Sequence, residues 1–545
     1  MHWADRVAQD LAHRGNNHTI AAGITPSGEF HIGHVREILT GDMIVRACHD
    51  IDMDARLLFI IDSIDPLRKV YPFLHPDYEK YIGHPLYRIP PPDAEGRPDL
   101  EAEGNYASHF LNPFLDSLKE LGVVPELSWN HEAYESGKFE DAARIFLDRR
   151  IEVAELIGKI SGRPIPEGWY PYTPIGHNGS MDGLTVTGWE DPYVLWVDAE
   201  GKEGRSHIGT AEGKLPWRLD WPAKWSIHGV TCEPFGKDHA ASGGSYSTGR
   251  KLVQFLGYNP PYPVPYEWIQ LKGMGAMSSS TNVFIGPSEA LHLVPPEILR
   301  FLISSNKPKK HIEFDTGDLL LKLSGLYDMF CRQYVKIQLE LEEGDSARTS
   351  KMKEDRTAAI RFAQIVHGNM PKKVNKGFKI KHLSMLAQIF PENDEAVWES
   401  MRKYRMVDGE PNETLVDRLH RLRNWIASEH FPEDARITIQ TSVSDNAKEG
   451  LQIWQDTNMA DSTCNYLSKL IETYQTCEWK YQTIQDAICD LAREYDLDLA
   501  EAFRLLYLIH LGKGYGPKLA TLLPEIPRED AISALVDAVS FLDGA

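Results

Sequence analysis

Two short signatures, far apart in the 545-residue chain, combine residue types suited to phosphate chemistry: Pro26-Ser27-Gly28-Glu29-Phe30-His31-Ile32-Gly33-His34 and Met277-Ser278-Ser279-Ser280. In the first, Gly23, Pro26 and Gly28 permit a tight turn just ahead of two imidazoles. A helix starting there would turn free N–H groups and the positive end of its dipole toward an anion. Such a site suits a nucleoside triphosphate, and together with the hydroxyl-bearing loop it points to ATP-dependent activation of an acyl group.

The elements that must position these groups follow from periodicity. Thr19-Ile20-Ala21-Ala22-Gly23-Ile24 is an apolar run of strand length, and Val35, Ile38, Leu39, Met43, Ile44 and Val45 recur at helical spacing. A second strand, Arg56 to Ile61, ends at Asp62-Ser63-Ile64-Asp65-Pro66. Strand, turn, helix and strand open an α/β fold, a Rossmann-type doubly wound parallel sheet whose ligands sit beyond the carboxyl ends of the strands, where Gly23, Thr25 and Asp62 fall. Tyr71 to Pro98, rich in Pro, Tyr and Gly, is expected to be irregular and surface-lying, with helices following at Tyr106 to Leu121 and Lys138 to Ile160. Residues from about Met181 to Ser280 are expected to return to the sheet. After Pro295-Pro296 helical periodicity dominates, as in Leu319 to Leu341, Thr414 to Ala427 and Ala500 to Leu511, so an all-α C-terminal region is expected. The boundaries fall at about 1–290, with an insertion around 66–180, then 291–345 and 346–545.

With 42% hydrophobic residues over 545 positions the chain can bury several cores. No run approaches a membrane span and no secretory pattern opens the sequence, so a cytoplasmic protein without membrane attachment is expected. The six cysteines are scattered without a C-x-x-C pair, which predicts neither a disulfide framework nor a structural zinc. A net charge of −21 argues against a DNA-coating protein, because affinity for DNA comes from neutralising phosphates. Local basic clusters remain available to RNA: Lys372, Lys373, Lys376, Lys379 and Lys381, then Arg402, Lys403 and Arg405, then Arg418, Arg421 and Arg423.

The paired signatures resemble those of the class I aminoacyl-tRNA synthetases, which bind ATP and transfer its adenylyl group to an amino acid carboxylate. Longer blocks narrow the resemblance. Gly213 to Trp225 spaces Trp217, Trp221 and Trp225 four apart on one helical face, and Glu233-Pro234-Phe235-Gly236-Lys237-Asp238-His239 follows soon after. These blocks, with Tyr266 to Gly273, Lys307 to Asp315 and Leu511 to Leu519, are similar to those of the class I lysyl-tRNA synthetases over essentially the whole chain.

The resemblance implies activation of L-lysine with ATP and Mg2+, then transfer to tRNA(Lys). It implies a stem-contact-like region at 291–345 and a helical anticodon-binding domain at 346–545. His31, His34, Ser278 and Ser280 would be catalytic, and the ATP contacts would be His31, Gly33, His34, Gly236, Asp238, Ile269, Met277, Ser278, Ser279 and Ser280. Lysine would meet Gly23, Thr25, Asp62, Trp217, His239 and Tyr266, with Asp62 toward the α-amino group and the aromatic residues around the side chain. Ordinary structural roles stay open for several of these: Trp217 as core, Asp62 as a helix cap, His239 as a hydrogen-bonding residue. A monomer is expected. One departure stands out, because Ala276 and Thr281 occupy positions where the family carries lysines; Lys272, Arg68 and Lys69 are candidate replacements. A tRNA-binding paralogue with weakened catalysis, or a class I synthetase for another amino acid such as glutamate, are the competing readings.

Overall fold

A computed structural model describes residues 1–241, 243–271, 275–276, 285–339, 347–375, 377–455 and 460–544, which fall into two compact units. The first comprises 1–315 and 329–372, the second 316–328 and 373–545.

The first unit is built on five strands, β1 (Asn17–Ile24), β2 (Asp54–Ile61), β3 (Glu126–Trp129), β4 (Val230–Gly236) and β5 (Tyr262–Tyr266). Their order is β5-β4-β1-β2-β3 and every pairing is parallel. The expected doubly wound sheet is therefore present. β1 and β2 read as continuous apolar runs because helices cover both faces of a parallel sheet. At the outer edge, Pro263 and Pro265 lack N–H groups, and β5 pairs only with β4, so neither proline interrupts a ladder. The chain winds outward from β1 through β2 to β3, then crosses back to β4 on the other side of β1. That reversal opens a crevice between the carboxyl ends of β1 and β4.

The helix Ile32–His49 crosses close over the sheet: a Cβ added at Gly41 would lie 2.7 Å from Leu57 Cδ1. Buried Arg300 donates to the carbonyls of Leu121 and Phe362, each at 3.0 Å, and Arg46 to that of Gln364 at 2.6 Å. Asp42 takes an ion pair from both guanidinium groups. This paired network draws residues 329–372 back onto the first unit.

Two expectations need correction and a third needs detail. Residues 71–98 are irregular, with short 3-10 turns at Pro76–Tyr81 and Leu86–Arg88, and run along the surface as expected, with Pro76, Asp77, Glu79, Lys80 and Arg88 exposed, but buried side chains pin them to the body of the unit. Tyr78, Leu86 and Ile89 are buried, because the Tyr78 ring packs on Tyr106 and its hydroxyl donates to Pro90 O. The expected helix over Lys138 to Ile160 is two helices, Glu140–Asp148 and Arg150–Ser161. They break at Arg149, whose backbone leaves helical geometry (φ −102°, ψ 26°) while its guanidinium lies over the Phe255 ring. Between 181 and 280, β4 and β5 do rejoin the sheet, but Thr185–Glu190, Tyr193–Val197 and Glu203–His207 form a separate antiparallel sheet of their own.

The second unit is helical and carries no strand among its described residues, as the sequence led one to expect. Its helices include Ile380–Ile389, Glu413–Ala427, Leu499–Leu511 and Arg528–Leu542. The third basic cluster serves this fold. Arg418 is buried in a bidentate pair with Asp328 at 2.6 and 3.0 Å, Arg421 pairs with Asp417, and Arg423 with Asp394. A guanidinium saturated by a carboxylate has little left for a phosphate. Among the described residues no helix is long and apolar enough to cross a membrane.

Candidate active site

His31 caps the helix Ile32–His49. Its Nδ1 accepts from Gly33 N at 3.1 Å, while His34 Nδ1 accepts from His31 N at 3.0 Å. The reciprocal arrangement is a capping box made with imidazoles in place of a hydroxyl and a carboxylate. It fixes the tautomer, since a ring nitrogen that accepts from a backbone N–H carries no proton; in the neutral ring the proton sits on Nε2. Burial pushes His31 down to about 4, and burial together with the adjacent His31 lowers His34 well below the usual imidazole range. The stacked rings, 3.8 Å between centroids, are thus neutral Nε2–H donors at pH 7.

Deeper in the crevice, a pocket between β1 and β4 is lined by Gly23, Glu37, Ile60, Asp62, Trp217, Trp221, Lys224, Glu233, Phe235 and His239. Its walls are aromatic because the helix Trp217–Ile227 presents its tryptophans in sequence. Trp217 and Trp221 stack at 5.4 Å, Trp221 and Trp225 lie 5.1 Å apart, and the His239 ring sits 5.3 Å from Trp221. Trp225 belongs to the core, whereas Trp217 is 37% exposed and is not a core residue.

Its base is acidic. Glu37 accepts from Gly23 N at 3.0 Å and from the Tyr266 hydroxyl, and burial pushes its carboxyl up to about 7 against the pull of those two bonds. Glu233 accepts from the indole N–H groups of Trp221 and Trp225, and burial raises it to about 8. Asp62 is also raised by burial, with the Lys224 ammonium opposing. Lys224 bridges Asp62 and Asp220, and Asp220 in turn accepts from the Tyr134 hydroxyl at 2.7 Å. Against a burial penalty, Lys214 holds Asp65 below the usual carboxylate range, and Thr25 Oγ1 donates to the same carboxylate at 2.9 Å. Among the described residues, Asp62, Asp65 and Asp220 share the two lysines Lys214 and Lys224 while Glu37 and Glu233 pair with neither, which leaves the cluster receptive to added positive charge.

The raised carboxyls set a sign for stability. A group whose folded value exceeds the unfolded carboxyl value of about 4.3 stabilises fully below that pH and loses its contribution as pH rises through the folded value. The thermal midpoint of the unliganded protein should therefore fall between pH 5 and 8, and Glu37→Gln should flatten part of that fall. Parallel midpoint profiles for the two proteins would count against the buried-carboxyl account.

Of the residues anticipated from sequence, Gly23, Asp62, Trp217 and His239 line one pocket, and Tyr266 reaches it through Glu37. Thr25 is turned to Asp65. Asp62 is no helix cap; it is gripped by Lys224 and by Asn130 Nδ2 at 3.3 Å. Gly236 ends β4, with the Trp268 ring 3.5 Å from where a Cβ would be, and Asp238 is exposed on the short helix Lys237–Ala240. Ile269 lies on a strand, Ile269–Leu271, of a separate small sheet beside Ile312–Phe314. Met277, Ser278, Ser279 and Ser280, with Lys272 and Thr281, lie outside the described residues. Sequence reasoning missed Glu37, Lys224, Lys214 and Glu233. The available signal was charge set within otherwise apolar patterns: Glu37 in the helix repeat, Lys224 between tryptophans. Among the described residues, no group of three or more His, Cys, Asp or Glu side chains is arranged to hold a metal ion.

A family model described as tRNA synthetases class I (K) matches residues 1–361. The chain is 37% identical over 525 residues to a protein of Archaeoglobus fulgidus named Lysine--tRNA ligase, covering 95% of this chain and 96% of that one. It is 34% identical over 537 residues to a Lysine--tRNA ligase of Thermoplasma volcanium, covering 98% of each. Over 332 residues it is 45% identical to Lysine--tRNA ligase 1 of Methanosarcina acetivorans, covering 60% of this chain and 61% of that protein.

Proposed function

The chain belongs to the tRNA synthetases class I (K), and from that premise we propose how its pocket performs lysine–tRNA ligation. The protein activates L-lysine with ATP and transfers the lysyl group to tRNA. The glutamate and paralogue readings lose ground to near-full-length similarity to lysine–tRNA ligases. The observation that carries the lysine reading is the acidic, aromatic pocket at the β1–β4 crevice, which would receive a side-chain ammonium at Glu37 and the α-ammonium at Asp62. Trp217, Trp221 and His239 exclude water around the methylene chain.

The lysine carboxylate attacks the α-phosphorus of ATP, the new P–O bond forms as the bond to the bridging oxygen breaks, and pyrophosphate leaves with the electron pair. Catalysis of this kind is positioning plus charge neutralisation. His31 and His34 donate Nε2–H bonds to phosphate oxygens, Gly33 lets the nucleotide approach, and Gly236, Asp238 and Ile269 border the nucleoside. Magnesium accompanying ATP would supply further neutralisation, with the triphosphate and water providing most of its ligands. The helical second unit, residues 316–328 and 373–545, would read the anticodon. The reading is of a monomer acting in the cytoplasm, where tRNA is aminoacylated.

Incubation with each of the twenty amino acids, ATP and unfractionated tRNA should charge lysine alone; preferential charging of glutamate would sink the assignment. The altered loop gives a second test. If Ala276 and Thr281 leave departing pyrophosphate short of cations, Ala276→Lys, alone or with Thr281→Lys, should raise the activation rate, each cation contributing about 1–3 kcal/mol. Lys272→Ala should be the damaging change if that residue already fills the role. Indifference to all of these substitutions would show that no loop cation is needed.

A further inference from the structure

We propose that the first unit carries a second anion site, outside the lysine pocket, shaped for a phosphorylated nucleoside. A cavity of about 880 Å3 lies between the start of the helix Trp3–Ala12, the edge strand β5 and the segment 304–309. That space exceeds what a lone phosphate fills. In a chain of net charge −21, its wall gathers Arg6, Lys307, Lys309 and Arg356. The first three make no ion pair among the described residues. Arg356 is steadied by Gln333 Oε1 at 2.8 Å and lies over the Phe330 ring. The wall also holds Asp355, which the N-terminal ammonium of Met1 takes up at 3.4 Å, so cations outnumber carboxylates there, and such an excess in a protein with acid to spare is an anion site.

The same wall includes the Trp3 and Tyr262 rings, and Trp3 Nε1 is a buried donor without a partner. Aromatic faces on a cationic wall suit stacking of a nucleobase beside its phosphate. The cavity also shares structure with the lysine pocket. Arg36, next to Glu37, donates to the carbonyls of Pro308 at 2.9 Å and Lys310 at 2.8 Å, and β5 runs from the cavity wall to Tyr266. Occupancy would therefore be felt at the site where lysine binds.

The nucleotide can arrive free or as part of bound tRNA, and direct binding separates the two without depending on which amino acid is activated. Equilibrium dialysis with labelled ADP should find two molecules per wild-type chain and one in the Arg6→Ala/Lys307→Ala/Lys309→Ala variant if the source is free nucleotide. If the source is tRNA, wild type binds one ADP, and the triple variant binds tRNA at least about tenfold more weakly with a salt dependence shallower by about three charges. Trp3→Ala, which removes the stacking ring and leaves the cations in place, should weaken the same binding severalfold. Equal ADP counts together with unchanged tRNA affinity in the triple variant would overturn the proposal.

Discussion

Glu37→Gln should raise the lysine KM at least about a hundredfold while leaving ATP affinity nearly unchanged. The carboxylate is desolvated, is bonded to Tyr266 and Gly23, and among the described residues faces the pocket without a cation of its own. Removing one partner of a buried charge pair costs about 2–5 kcal/mol, because the other charge is left unpaired. The pH dependence supplies a sharper signature. With its carboxyl near 7, Glu37 must lose a proton before it can accept an ammonium, so wild-type lysine affinity should increase as pH rises from 6 to 8. Well below 7 it should fall by about tenfold per unit. The Gln variant should lose that slope. Tyr266→Phe should weaken lysine binding less, since it removes a hydrogen bond and leaves the charge. A steep slope surviving in the Gln variant would transfer the role to Asp62 or Glu233.

His31→Ala and His34→Ala should each slow lysyl-adenylate formation by about a hundredfold or more, with smaller changes in lysine KM, as expected for donors that act mainly in the transition state. Because both imidazoles are neutral near pH 7, the wild-type rate should show no histidine titration between pH 6 and 8 once lysine saturates. Each substitution also removes half of the cap on the helix Ile32–His49, a loss of about 1 kcal/mol of stability. Thermal midpoints should therefore be measured beside the rates. A His34→Asn variant that retains an N–H and recovers part of the rate would separate donation from capping. Full activity in both alanine variants would mean that the histidines serve only as the cap.

What could be read from residues alone was local or repeated. The apolar run before Gly23, the helical repeat after Gly33 and the four-residue spacing of the tryptophans each fix an element through its own period, and each element is present. The break at Arg149 and the anchoring of residues 71–98 through Tyr78 were not legible, because they depend on which distant surfaces meet them: the Phe255 ring in one case, Tyr106 in the other.

The same limit governs the site. Gly23, Asp62, Trp217 and His239 were identified through family-like blocks, and the parallel sheet brings them together at its switch point. Glu37, Glu233 and Lys224 lie on three different elements and belong to no sequence pattern that marks acid chemistry. Nor could sequence show that Arg418 is spent on Asp328, ninety residues earlier in the chain. Side-chain spacing within a helix or strand is written in the chain. Desolvation and charge pairing are sums over atoms brought close only by folding, so the packed sheet decided which carboxylates are starved of water and which cations remain free to meet a ligand.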